Sequence, residues 1–146
     1  TLGVEILFTW VAAVFASAVV SFPLMIRAIM VAMAEVDPQL EESARSLGAG
    51  PFRVAMNITI PLAYRGILAG LLLGFVRALS EFGATIVVAG NIPGKTQTIS
   101  LAIYQNVQIG HTETALVFVG VSILLASLSL IVHNWLLQRK GPRGAK

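Results

Sequence analysis

From Thr114 to Val132 the chain runs 19 residues without a charged side chain. A hydrocarbon core is crossed by about 20 apolar residues in a helix. Lipid offers no hydrogen-bond partners, so such a run must satisfy its backbone internally. Two other stretches read the same way: Leu2–Val20, interrupted only by Glu5, and Pro61–Leu79. Between the first two lies a segment that lipid would reject, Glu35–Pro61. It holds four carboxylates, two arginines, two glycines and three prolines. The composition agrees: 12% of the 146 residues are charged and 56% hydrophobic, whereas soluble domains carry roughly 25% charged residues. The expected fold class is an all-α membrane protein, a polytopic helical bundle with about three full spans and a polar loop, forming one domain over residues 1–146.

The first span is expected to break or kink at Ser21-Phe22-Pro23. Trp10, in mid-run, is expected to pack. Phe22–Ala34 then leads out of the membrane, with Arg27 snorkelling to the headgroups.

The polar segment carries signals for two short helices on an elbow. Asp37 is an N-cap, with Pro38 at the first helical position. Glu41 and Glu42 suit the positive end of the helix dipole, and Glu41 can pair with Arg45 at i,i+4. Leu40, Ala44 and Leu47 share one side. Gly48 is placed to end the helix in the left-handed region. Gly50-Pro51 starts a second helix, which Pro61 should stop at Ile60. Such a segment reads either as an ordinary loop between spans or as a rigid docking knob.

In the second span Gly66, Gly70 and Gly74 recur every four residues, a stripe that lets a neighbouring helix approach closely. Arg77 and Glu81 follow at pairing distance along a helix. The pair reads as a self-compensating ion pair that fixes helix orientation, or as part of an anion route. Glu81–Ile92 has an apolar part too short to cross and reads as a re-entrant or interfacial segment. Asn91–Thr96 is turn chemistry around Pro93-Gly94. Thr98–Val107 is a short, mildly amphipathic stretch. His111 and Glu113 form a bare HxE without further nearby ligands, too little for a metal site. The absence of Cys excludes disulfides and thiolate metal ligation.

After the third span, His133, Asn134 and Trp135 make a polar, aromatic border. Arg139, Lys140, Arg143 and Lys146 make a basic tail. By the positive-inside rule that tail is cytoplasmic. Counting spans then places the loop at 90–112 outside and Glu35–Pro61 inside. Net charge is +3, a membrane-flanking pattern that gives no reason to expect nucleic acid. With Thr first, the chain reads as a piece of a longer protein that lacks its natural start.

The segment Glu42-Ser43-Ala44, three residues, Gly48, nine residues, Ile58-Thr59-Ile60-Pro61 resembles the EAA loop of ABC-importer permeases in every spacing. Ser43 and Ile60 depart mildly from that pattern. Ser21-Phe22-Pro23-Leu24 with Arg27, Ala78–Thr85 and Asn91–Ile99 are similar to the molybdate branch of the family. Sulfate permeases share the Arg77-Ala78-Leu79 and Glu81-Phe82-Gly83 blocks. The resemblance covers the C-terminal two-thirds or so of such a permease, whose additional N-terminal spans are missing here.

It implies a permease subunit, not an enzyme, that moves molybdate across a prokaryotic cytoplasmic membrane by alternating access. The implied partners are membrane lipids, a second permease copy, an extracytoplasmic oxyanion-binding protein and a cytoplasmic ATPase dimer. No GxxxxGK[ST] occurs in the 146 residues, so ATP-Mg is expected on the ATPase and no cofactor on this chain. Glu42, Ala44, Leu47, Gly48, Ala49 and Gly50 would couple to that ATPase. Arg77, Ser80, Glu81, Thr85, Asn91 and Thr96 are candidates for the pathway, since a passing oxyanion needs weak, oriented donors more than tight cation sites. Sulfate, thiosulfate or tungstate is the alternative cargo, and a non-transporting membrane scaffold the alternative class.

Overall fold

The structure, a computed structural model, describes residues 7–138. The start of the expected first span and the basic tail at 139–146 lie outside the described residues. All regular elements among the described residues are helical: α1 (Trp10–Ala34), α2 (Pro38–Ser46), α3 (Pro51–Val54), a π-helical turn (Ala55–Thr59), α4 (Ile60–Leu79), α5 (Gly83–Val88), α6 (Ile99–Gln108) and α7 (Thr112–Gln138). Three stretches are long and apolar enough to cross a membrane, Trp10–Ala34, Pro51–Leu79 and Thr112–Gln138. Their lipid-compatible surfaces explain why so many large apolar side chains are exposed.

Several expected boundaries move. Pro23 does not break the first helix; α1 runs through it for 25 residues. Pro23 lacks the N–H that would close the ladder, and Ser21 Oγ donates to the Ala18 carbonyl nearby at 3.1 Å. The carbonyl that Pro23 leaves without its helical donor is that of Val19, one residue further on, and membrane helices tolerate such a gap. Trp10 opens α1 and is 67% exposed, contrary to the packing expected of it. Nor does Pro61 start a separate segment, because α3, the π turn and α4 are continuous. The ladder widens one turn ahead of Pro61, where the Ile60 N–H reaches back to the Ala55 carbonyl. A π turn makes room where the proline ring would otherwise press on the preceding turn. Helix α7 extends beyond the expected third span at both ends.

The described residues form two compact units. One comprises 24–73 and 130–138. Here α1 approaches α4 at the glycines of α4: a Cβ at Gly66 would lie 2.5 Å from Ala32 Cβ, and one at Gly70 3.0 Å from Ile29 Cγ1. His133 Nδ1 lies 3.1 Å from the Ala69 carbonyl, which ties α7 to α4. The other unit comprises 7–23 and 74–129. Its small core contains Ala12, Ala13 and Ala89 with Val88 against them. The Phe8 N–H donates to the Val88 carbonyl at 3.2 Å, and Ser100 Oγ donates to the Leu79 carbonyl at the end of α4 at 3.1 Å. Gly74 is buried in this unit.

Candidate functional site

The elbow is built from local backbone chemistry. Asp37 sits in extended conformation and its carboxylate accepts the Gln39 N–H at 2.9 Å. Pro38 follows where no N–H is needed. Glu41 and Arg45 pair at 3.4 Å. At the other end Gly48 takes φ +84°. The Ala49 N–H reaches the Ala44 carbonyl at 3.0 Å and the Gly48 N–H reaches the Arg45 carbonyl at 2.9 Å. This pair of bonds is a Schellman motif, which closes the helix end and turns the chain. Gly50 is extended and Pro51 begins α3. The path from α2 to α3 is therefore set by hydrogen bonds and by one left-handed residue.

What the elbow exposes is unusual for a polar turn. Helix α2 buries none of its residues. Leu47 is 89% and Phe52 79% exposed, and Leu40 is half exposed. Glu42, Gly48 and Gly50 are exposed, while Ala44 and Ala49 are half-buried beneath them. The surface offers two large apolar side chains at the bend and acidic side chains along α2.

The second group of candidates lies between α4 and α6, in the other unit. Arg77 and Glu81 pair at 3.0 Å across the end of α4. Glu81 is buried, and its second oxygen accepts the Ala84 N–H at 2.9 Å. That N–H bond, with help from the Arg77 guanidinium, holds the Glu81 carboxyl below its ordinary value against the opposing effect of burial. Thr85 is fully buried and donates to the Phe82 carbonyl at 2.9 Å. Ser80 Oγ donates to the Arg77 carbonyl at 2.9 Å. Thr96 Oγ1 accepts the Ile92 N–H at 3.1 Å and faces the Gly90 carbonyl at 3.4 Å.

Asn91 belongs to an amide cluster that local sequence signals do not reveal. Its Nδ2 donates to Gln105 Oε1 at 3.0 Å, and Gln97 Nε2 donates to Asn91 Oδ1 at 3.0 Å and also to Gln105 Oε1. These bonds fasten the Pro93-Gly94 loop to α6. The structure thus brings Arg77, Glu81 and Thr85 together around the start of α5, and Asn91 and Thr96 together in the loop. The hydroxyl and amide donors of this group are engaged within the chain. Arg77, with 40% of its side chain exposed, has N–H groups beyond the one that meets Glu81.

Residues 3–141 match the family described as binding-protein-dependent transport system inner membrane component. The chain is 49% identical over 135 residues to the molybdenum transport system permease protein ModB of Escherichia coli K12, covering 92% of this chain and 59% of that protein. Against ModB of Haemophilus influenzae it is 46% identical over 138 residues, 94% of this chain and 60% of that protein. Against the sulfate transport system permease protein CysW of Synechocystis it is 36% identical over 138 residues, 94% of this chain and 50% of that protein. The chain spans about half to three-fifths of the length of these curated relatives. With three helices able to cross a bilayer, it is a multi-pass membrane protein.

Proposed function

The chain belongs to the binding-protein-dependent transport inner membrane component family, and from that premise we propose that it forms part of the permease subunit of an ATP-driven molybdate importer. Two permease copies would enclose the route. A binding protein outside would deliver the oxyanion, and an ATPase dimer inside would hold ATP-Mg and close on it. The elbow would be the ATPase-facing surface, with Glu42, Ala44, Leu47, Gly48, Ala49 and Gly50 at or under the contact. Arg27, Arg45, Arg53 and Arg65 in and beside the elbow, against Lys95 in the loop at 90–112, support a cytoplasmic elbow.

The observation that carries this reading is the exposure of Leu47 and Phe52 at a hydrogen-bonded bend. An ordinary loop between spans gains nothing from presenting two large apolar side chains to water. A rigid apolar anchor is what a cleft in a partner recognises. ATP binding would act by favouring the conformation that this contact fits better, since only a differential contact can shift an equilibrium.

Molybdate is favoured as cargo because the identity to ModB of E. coli, 49% over 135 residues, exceeds the 36% over 138 residues to CysW. Sulfate transport is the second reading, supported by that CysW similarity. For the route itself we propose Arg77 as the group that meets the anion, with Ser80, Glu81, Thr85, Asn91 and Thr96 building the wall that positions it.

The test is capture of the cognate ATPase by the full-length permease in membranes, with and without Gly48→Asp. Loss of capture with membrane insertion intact is the expected result. Undiminished capture would overturn the elbow as the docking surface. For the wall, Thr85→Val with Asn91→Leu should change the KM or rate of molybdate uptake, and unchanged uptake kinetics would remove both from the route.

A further inference from the structure

One long-range contact joins the elbow to a spanning helix. Thr59 Oγ1 donates to Glu41 Oε1 at 2.6 Å, across 18 residues of sequence. That is the short length of a hydroxyl bonded to a carboxylate, a class roughly twice as strong as a neutral hydrogen bond. Thr59 is buried. The other Glu41 oxygen meets Arg45 at 3.4 Å, so the carboxylate is held from both sides. Helix α2 buries no residue of its own, so beyond the Gly48 turn that joins it to α3 this bond is its side-chain tie to the spanning helix.

The anchor point is also special. Thr59 is the last residue of the π turn, immediately before α4. A π turn carries one residue more than a regular turn closes, so the ladder there can change register between i→i+5 and i→i+4 bonds. A pull on Thr59 acts where the helix is easiest to deform and just ahead of Pro61, where a backbone N–H is missing.

We propose that Glu41 and Thr59 form the strut that carries movement of the elbow into the spanning helix. Both are positioning residues, and the inference rests on the coupling reading above. Glu41 is half-buried behind the exposed face of α2, so it transmits the contact and does not make it. When a partner tilts α2, the Glu41 carboxylate drags the Thr59 hydroxyl, and the π turn takes up the displacement at the start of α4. Without the bond α2 can follow the partner while α4 stays behind.

The experiment measures molybdate transported per ATP hydrolysed by the full-length permease reconstituted with its ATPase in liposomes. Thr59→Val, Glu41→Ala and the double variant are compared with wild type, with Thr59→Ser as the conservative replacement. ATPase capture is recorded for each. Expected are capture within about twofold of wild type, a fall in transport per ATP of about tenfold for Thr59→Val, as loss of one hydrogen bond to a charged group supports, and recovery with Thr59→Ser. The double variant should be no worse than the worse single variant, because one bond is lost once. Unchanged transport per ATP with intact capture would overturn the strut and leave the docking reading standing. Additive losses in the double variant, or a fall in capture together with transport at constant ratio, would also overturn it, since either marks two independent structural effects. Failure of the wild-type permease to capture the ATPase would overturn the docking reading, and the strut with it.

Discussion

In the elbow, Leu47 and Phe52 stand almost wholly in the open; in the segment from Ser80 to Thr98, Glu81, Thr85 and Thr96 are buried and hydrogen-bonded. Both regions interrupt apolar helices with polar sequence. The elbow satisfies its backbone through the Asp37 cap and the Gly48 turn, which leaves Leu47 and Phe52 free to face outward. The other segment uses its side chains as backbone partners and cross-links. No buried side-chain nitrogen or oxygen among the described residues lacks a partner. Where the backbone closes itself, side chains are available for another molecule; where side chains close the backbone, substitution disturbs the fold first.

That contrast can be broken by exchanging the readouts. The largest effect is expected from Leu47→Asp, which should lower ATPase affinity about 30- to 100-fold, the scale of a lost apolar anchor. Its melting temperature in detergent should stay at the wild-type value, because Leu47 touches little within the chain. A drop in stability of the permease alone would show Leu47 to be a packing residue. Next is Glu81→Ala, which strands the Arg77 guanidinium and the Ala84 N–H. Removing one member of a buried pair costs about 3–5 kcal/mol. With Arg77 40% exposed, solvent screening reduces this to about 1–3 kcal/mol. Thermal unfolding should reveal that loss, with ATPase capture unaltered.

Gly48→Ala should be milder. A Cβ there meets nothing within 4 Å, so the penalty is that of holding an L residue at φ +84°, about 1–2 kcal/mol. Gly48→Asn, which tolerates that region better, should recover part of it in the same unfolding assay. If both variants matched wild type, the bend would not depend on the left-handed residue.

The smallest effect is in pH. Because the folded Glu81 carboxyl is held below its unfolded value, its contribution is fully present above the ordinary carboxylate range. It is lost as pH falls through the lower folded value. Stability of wild type should therefore decline on acidification more than that of Glu81→Gln, measured as melting temperature against pH. Parallel curves for the two proteins would place the acid sensitivity elsewhere.

Much of the elbow was legible in the sequence because its determinants act over one turn: Asp37 capping Gln39, Glu41 beside Arg45, and Gly48 where the chain must turn left-handed. Arg77 and Glu81 were legible for the same reason, at i,i+4. The three long apolar stretches declared themselves by length and hydropathy. Proline misled most at Pro61, where a widened turn makes room for the ring and the helix continues. At Pro23 the helix likewise runs on unbroken, since the missing N–H costs one bond of a ladder that its neighbours still hold.

By itself, then, the sequence determined that this is a helical membrane chain with a polar elbow, and where that elbow bends, because these depend on bonds between near neighbours. Only the tertiary structure decided which side of the elbow is covered, that Thr59 grips Glu41, and that Asn91, Gln97 and Gln105 close on one another. Those contacts join residues up to 18 positions apart, and a polar side chain at such distance has no preferred partner until the backbone brings one within reach.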